Sequence, residues 1–318
     1  MANHALDFEK PIVELEQKLE ELRALSGKED VDYSDKIQNM QRTLNELKKD
    51  TFLNLGRWQR TQLARHPQRP YALDYINEIS TDFIEQHGDR HFGDGPSIIT
   101  GFATMDDRTV MFIGQQKGRD TNEKMYRNFG MAHPEGYRKA LRMMYLAEKF
   151  QAPIITMLDT PGAYPGIGAE ERGQAEAVAR NLIEMAKIKV PIITIVIGEG
   201  GSGGALALGV GNRALMLENS VYSVISPEGC AAILWKDQSK IVEAADSMAL
   251  TAADLLNQGL IDEVITEPLG GAHRDVKEMS RSLKGAIMRQ LDQMASSTPE
   301  QIVQQRRKRF RGMGAITG

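Results

Sequence analysis

The sequence predicts an α/β protein in which successive ββα units follow an N-terminal helical hairpin. Three patterns carry that expectation. Two apolar runs rich in Ile and Val, residues 153–158 and 191–197, each end in a glycine cluster, as buried strands do. Around them, strand-like segments alternate with stretches of strong helix formers. Residues 8–60 stand apart, with Leu and Ile at helical spacing.

In chain order, Ile12, Leu15, Leu19 and Leu22 are spaced 3, 4, 3, and Ile37, Met40, Leu44 and Leu47 repeat that spacing. Ser26-Gly27-Lys28-Glu29-Asp30 interrupts the pattern as a polar loop. The pattern is too short for a free coiled coil, so the hairpin either packs on its own domain or reaches a partner subunit. Pro67 and Pro70 punctuate the passage into the main domain, and residues 71–83 read as a helix. Residues 98–105 and 109–114 read as strands joined by a turn at Met105-Asp106-Asp107-Arg108. A helix over 137–150 has no internal Gly or Pro. After strand 153–158 come a helix near 170–187, strand 191–197, and short strands at 213–217 and 221–225. Ser226-Pro227-Glu228 reads as an N-cap with Pro at the first helical position. Helices near 239–246 and 251–258, a strand at 261–265 and a long helix near 275–294 complete the main domain. The expected organisation is an arm over 1–60, a main domain over 61–295 and a basic tail over 296–318. The tail's Arg306-Arg307-Lys308-Arg309-Phe310-Arg311 run reads as a solvated terminus, the alternative being contact with an acidic partner or nucleic acid.

Composition narrows the function. With 41% apolar and 26% charged residues the chain is an ordinary globular protein of 318 residues. A net charge of −4 gives no global pull toward nucleic acid or anionic membrane. No apolar run approaches the roughly 20 residues that span a bilayer. The first nine residues lack a basic and an apolar signal region, and cytoplasm is the simplest expectation. One cysteine, Cys230, excludes an intrachain disulfide and a multi-cysteine zinc site.

The chemistry is expected at the glycine clusters, Asp159-Thr160-Pro161-Gly162-Ala163-Tyr164-Pro165-Gly166 and Gly198-Glu199-Gly200-Gly201-Ser202-Gly203-Gly204. Glycine at a strand exit lets the backbone turn its N–H groups toward a ligand. A helix starting at Ala205 would add unpaired amides and a favourable dipole. Two backbone anion sites facing one cleft suit a reaction that passes through an enolate or another oxyanion. Short patterns compete for the second cluster. It satisfies G-x-G-x-x-G, with Glu218 at nearly the distance of a ribose-binding acid, but it lies too deep in the chain for a dinucleotide fold. A Walker A loop fails, because no Lys-Ser/Thr follows the last glycine. Gly200-Gly201-Ser202-Gly203-Gly204 also satisfies G-x-S-x-G, and His273 with Asp262 would complete a serine hydrolase.

A wider set of motifs decides among these. Lys117-Gly118-Arg119, Arg127-Asn128-Phe129-Gly130-Met131, Pro134-Glu135-Gly136-Tyr137-Arg138-Lys139-Ala140, both glycine clusters, Glu170-Glu171-Arg172-Gly173-Gln174, Ser226-Pro227-Glu228-Gly229-Cys230 and Pro268-Leu269-Gly270-Gly271-Ala272-His273 occur together. In combination they resemble the alpha-subunit family of bacterial acetyl-CoA carboxylase carboxyltransferases, from residue 7 to residue 295. The resemblance implies a crotonase (ClpP-like) superhelix of ββα units. It also implies transfer of a carboxyl group from carboxybiotin, held on a biotin carboxyl carrier protein, to acetyl-CoA, giving malonyl-CoA for fatty-acid synthesis. It further implies a beta subunit that carries zinc and binds mainly the CoA thioester, an α2β2 assembly, and a separate biotin carboxylase. Another acyl-CoA carboxyltransferase or a decarboxylase would share the fold.

On that resemblance, the peptide joining Gly203 and Gly204 is the expected donor to the biotin carbonyl, and the one joining Gly162 and Ala163 the second donor. Gly200, Gly201 and Ser202 would line the substrate site. Lys117, Arg119 and Arg127 would meet CoA phosphates or the carboxylate of carboxybiotin, or else pair with Glu123 or Asp120 on a helix face. Tyr164 and Phe129 would line the biotin pocket or serve as packing. Asp159 is expected to cap the turn after it, and Glu228 to support its own helix start.

Overall fold

The computed structural model describes residues 5–26 and 33–314. Most of the expected polar loop at 26–30, the first four residues of the segment read for a signal, and the last four of the tail lie outside the described residues. Helices α1 (Lys10–Ser26) and α2 (Ser34–Leu53) form the hairpin. Ile12, Leu19 and Leu44 bury against Phe52, Leu55 and Leu63, so the hairpin packs on its own domain through α3 (Arg57–Ala64). Buried Glu9 fastens it further, accepting from Arg274 Nη2 at 3.0 Å.

Helix α4 (Ala72–Ile79) stops short of the expected 83. Ser80 adopts φ −140° with its hydroxyl on Ile76 O, and the chain leaves as strand β1 (Thr81–Glu85). Strands β2 (Ile98–Met105) and β3 (Arg108–Gln115) form the expected hairpin. Helices α5 (Thr121–Tyr126) and α6 (Pro134–Lys149) lead to β4 (Ile154–Thr160). The helix expected over 170–187 is two, α7 (Ile167–Glu171) and α8 (Gln174–Met185), because Gly173 at φ +81° breaks it. Strand β5 (Ile192–Gly201) runs four residues into the second glycine cluster, and α9 (Ser202–Leu206) begins before Ala205. Then follow β6 (Arg213–Leu217), β7 (Val221–Ser223), α10 (Pro227–Leu234), α11 (Ile241–Met248), α12 (Ala252–Asn257), β8 (Glu263–Ile265), α13 (Val276–Met294) and α14 (Pro299–Gly312).

One mixed sheet organises the domain, in the order β1-β2-β3-β4-β5-β6-β8, with β7 paired to the end of β5. The first three strands are antiparallel and the rest parallel. Strands are therefore added to one side in chain order, as a superhelix of ββα units requires. Successive side chains serve opposite faces. On β4, Ile154 and Leu158 enter the core under α6 and α8, while Ile155 and Met157 enter the core under α4 and α13. Being covered on both faces explains why these strands read as continuous apolar runs.

The basic run expected to be solvated is instead helix α14, docked on the domain. Arg306 is fully buried and donates to Met185 O at 2.6 Å, Ile188 O at 2.7 Å and Val190 O at 2.8 Å, and to Asn212 Oδ1. It thereby supplies donors at the C-terminal end of α8, where backbone carbonyls lack helical partners. Arg309 pairs with Asp262. Among the described residues, no helix is long and apolar enough to cross a membrane.

Candidate active site

Parallel register places the two glycine clusters at one end of the sheet. Strands β4 and β5 pair from Ile154↔Ile192 to Leu158↔Val196 and again at Thr160↔Gly200, so both chains leave the sheet together. Ligands of open parallel sheets gather at this carboxyl end. The two turns touch backbone to backbone. A Cβ on Gly201 would lie 2.3 Å from Pro161 O, and one on Gly204 would lie 2.5 Å from both Ala163 N and Gly162 C. Those two glycines are required by close approach. Gly203 differs, because a Cβ there would meet nothing nearer than Val178 at 3.8 Å. The Gly200 position faces the Tyr222 ring, 2.9 Å from where a Cβ would stand.

Hydrogen bonding singles out particular donors. The Gly162 amide donates to Thr160 Oγ1 at 3.1 Å, and the Tyr164 amide to Ala132 O at 3.1 Å. Between them the Ala163 amide has no acceptor among the described residues. The Gly203 and Gly204 amides fall in the first turn of α9, where a helix provides no acceptor. Ser202 precedes them at φ +53°, a conformation that is strained for a residue with a Cβ. The Gln115 side chain joins the two turns, donating from Nε2 to Gly204 O at 2.8 Å and accepting from the Asp159 amide at 3.0 Å.

Asp159 does not cap the turn. Its Oδ1 accepts from Lys117 Nζ at 2.7 Å and from the Glu199 amide at 3.0 Å, and Thr160 takes the capping position. Lys117 thus sits at the site through Asp159. Arg119 lies elsewhere: it pairs with Asp74, covers the Tyr71 ring at 4.2 Å and donates to Arg69 O. Arg127 donates to Pro96 O at 2.7 Å. Neither guanidinium pairs with Glu123 or Asp120, since Asp120 caps α5 and Glu123 accepts from the Arg119 amide. Phe129 is 53% exposed at φ +56°, between Asn128 at +46° and Gly130 at +78°. Three successive left-handed residues form a strained corner, held to the first glycine turn by the Thr160 hydroxyl, which lies 2.7 Å from Gly130 O. Glu228 lies in the first turn of α10 and pairs with Arg65, which bridges to Glu199 on β5.

The serine-hydrolase alternative does not find its base in His273 or its acid in Asp262. His273 stacks on His66 at 4.0 Å, beside a cavity of about 520 Å³ under the hairpin, and burial pushes its pKa down to about 3. Asp262 accepts from the Ala214 amide and Arg309. Both are committed away from Ser202. Among the described residues, no group of three or more His, Cys, Asp or Glu could hold a metal ion.

Several side chains at the site escaped the sequence reading. His133 packs against the Tyr164 ring at 4.5 Å, Arg172 holds His133 and Glu135, and Gln174 donates to both Ala132 O and Tyr164 O. Arg172 and Gln174 lie in a motif already singled out, but their partners are distant in sequence.

Comparison with known proteins fits this geometry. The family model described as acetyl co-enzyme A carboxylase carboxyltransferase-like matches residues 5–314. The chain belongs to that family. It is 58% identical over 312 residues to the acetyl-coenzyme A carboxylase carboxyl transferase subunit alpha of Syntrophotalea carbinolica, covering 98% of each chain. It is 56% identical over 312 residues to that of Geobacter metallireducens, again covering 98% of each. Among solved structures, transcarboxylase 12S with methylmalonyl-coenzyme A bound matches with a TM-score of 0.58 at 20% identity, over 72% of this chain and 43% of that one. A Pseudomonas malonate decarboxylase hetero-tetramer with coenzyme A matches at 0.60 and 16% identity, over 76% and 92%. Carboxyltransferases of this kind share the crotonase-like fold described above.

Proposed function

We propose that this chain is the alpha subunit of an acetyl-CoA carboxyltransferase and supplies the biotin side of its active site. The observation that carries the reading is the pair of glycine turns in backbone contact, with amides on both sides that lack acceptors among the described residues. Carboxybiotin, delivered on a biotin carboxyl carrier protein that a separate biotin carboxylase charges, would supply the carboxyl group. Acetyl-CoA would accept that group at its methyl carbon to become malonyl-CoA for fatty-acid synthesis, its methyl proton passing to the ureido nitrogen that the carboxyl group leaves.

The residues of this chain bind and orient. The Gly203 and Gly204 amides, supported by the short α9, donate to the biotin ureido oxygen, and the Ala163 amide donates to the second oxygen that gains charge. Gly162 at φ +155° sets the angle of the Ala163 peptide. Gly200 and Gly201 keep the backbone close, and the Ser202 hydroxyl stands beside the donors. Tyr164 and Phe129 frame the entrance and limit water, while Lys117 carries positive charge toward the carboxylate. Backbone amides do not titrate, so they stabilise negative charge without competing for the transferred proton. Arg119 and Arg127 act through the segments they hold.

A beta subunit completes the site in an α2β2 assembly, holds the CoA thioester and carries the zinc, in the cytoplasm. Support for a partner comes from α10 and the chain before it, where Val224, Ile233 and Leu234 are each at least 67% exposed. Arg65 ties this helix to the glycine strand through Glu228 and Glu199. The deciding assay is the reverse reaction, malonyl-CoA plus biocytin giving acetyl-CoA, with this chain alone, the beta subunit alone, and both mixed. Activity confined to the mixture is expected. An inactive mixture, or full activity from this chain by itself, overturns the reading.

A further inference from the structure

We propose that His133 is a positioning residue of the first glycine turn: through Tyr164 it holds the Ala163 amide in place, and it does so only while its ring is neutral. This rests on the function proposed above. The segment around His133 is laced to that turn. The Tyr164 amide donates to Ala132 O at 3.1 Å, and Gln174 Nε2 donates to Ala132 O at 2.9 Å and Tyr164 O at 2.8 Å. The Tyr164 ring folds back over Gly166, where a Cβ would come within 2.4 Å of it, and it packs on the His133 ring at 4.5 Å. Tyr164 directly follows Ala163, so its backbone, held on Ala132 O and Gln174, anchors the end of the short segment that presents the unpaired amide, and the His133–Tyr164 ring contact keeps that segment seated.

The His133 ring is itself fixed by one hydrogen bond. Arg172 Nη2 lies 3.2 Å from Nδ1. A guanidinium has donors only, so Nδ1 is the acceptor and the proton sits on Nε2. Arg172 cannot retreat. It donates to both Glu135 oxygens, at 3.1 and 3.2 Å, and covers the Phe92 ring at 4.4 Å. A proton on Nδ1 would remove the acceptor and set two cations face to face, so the ring must swing and release Tyr164.

The charged groups around the ring are Glu135 and Arg138 on α6 and Arg172 after α7. Arg138 is turned toward Asp89 and Glu135. Burial and Arg172 lower the His133 pKa from 6.5, and Glu135 opposes them. The neutral ring therefore prevails at neutral pH and is lost only in acid below the ordinary histidine range.

The test uses the complex with the beta subunit, following malonyl-CoA plus biocytin across pH. In the wild-type complex kcat should fall on an acid limb below the usual histidine range. His133→Asn puts an amide oxygen near the Nδ1 position and cannot titrate. It should keep kcat clearly above that of His133→Leu at neutral pH, though below wild type because no ring packs on Tyr164, and it should lose that limb. His133→Leu removes the acceptor and should lower kcat about tenfold or more at every pH, the scale of a site misplaced by a fraction of an ångström to an ångström. A purely structural role would shift the melting temperature of both variants and leave the pH profile unchanged, which overturns the proposal. So would an acid limb that persists in His133→Asn, or an unchanged kcat in His133→Leu. An inactive wild-type complex would instead overturn the carboxyltransferase reading beneath it.

Discussion

Gly203 and Gly204 are neighbours in the first turn of α9, yet a methyl group would be received differently at each. At Gly204 it meets the backbone of Gly162 and Ala163 at 2.5 Å, and backbone cannot step aside. At Gly203 it finds ordinary contact distance. Gly204→Ala should therefore part the two turns and lower carboxyl transfer about a hundredfold, the usual consequence of a shift near an ångström. Gly203→Ala should fold with an unchanged melting temperature, so any loss of its activity reports crowding of the ligand alone. Steady-state kinetics beside thermal melting of both variants separates the cases. Ser202→Ala tests a third point, because the strained φ of +53° stays while the hydroxyl goes. Substantial activity is expected to remain, since the donors are backbone groups. Glycines that face a ligand and glycines that face another strand look alike in a sequence. Only the folded packing, which sets Gly204 against the Gly162–Ala163 turn and leaves Gly203 open, distinguishes them.

At the scale of elements, capping and local period made most of the chain legible. Ser226-Pro227 starts α10 as expected, with Gly229 N on Ser226 Oγ at 3.1 Å. Both β2 and β3 fall within a residue of their expected ends. Misreadings arose where one residue outweighed the period, as Ser80 does after α4 and Gly173 between α7 and α8. Helix α14 escaped for another reason. A run of arginines looks solvated, and the carbonyls that Arg306 satisfies lie 116 to 121 residues away. Arg306→Met should leave those carbonyls buried without donors and cost about 3 kcal/mol or more, read from the denaturation midpoint. Elsewhere Arg57 bonds the Asp254 carboxylate at 2.7 and 2.9 Å, tying α3 to the start of α12. That bond holds the Asp254 pKa down at about 2, against burial and with help from Thr251.

For the whole molecule, the same reasoning sets the behaviour in acid. Asp89 and Asp94 are also depressed to about 2. Burial pushes each up, but it is outweighed at Asp89 by the Phe92, His91 and Gly93 amides together with Arg138, and at Asp94 by the Gly88 amide together with Lys139 and His87. A depressed carboxyl adds stability above its unfolded pKa and loses it as pH falls through the folded one. The stability these three carboxyls add should thus hold above the ordinary aspartate value of 3.8 and drop steeply from there to about 2, while the half-buried neutral rings of His273 and His133 begin to cost stability already below 6.5. Asp254→Asn should start lower and fall less steeply over that window. Deeper inside, Arg69 donates to both Glu267 oxygens and to Ile197 O with all partners buried, so Arg69→Ala should cost about 3–5 kcal/mol in a denaturant titration. The Gln115 amide makes one more property of the assembly calculable. It clasps β4 at Asp159 and the α9 turn at Gly204 with its two ends, so neither turn can breathe without the other. The Asp159 amide proton should therefore trade for deuterium only when the entire sheet opens, at the slow rate of the core strands. Gln115→Met should let that proton escape by a small local opening, a change visible before any loss of fold.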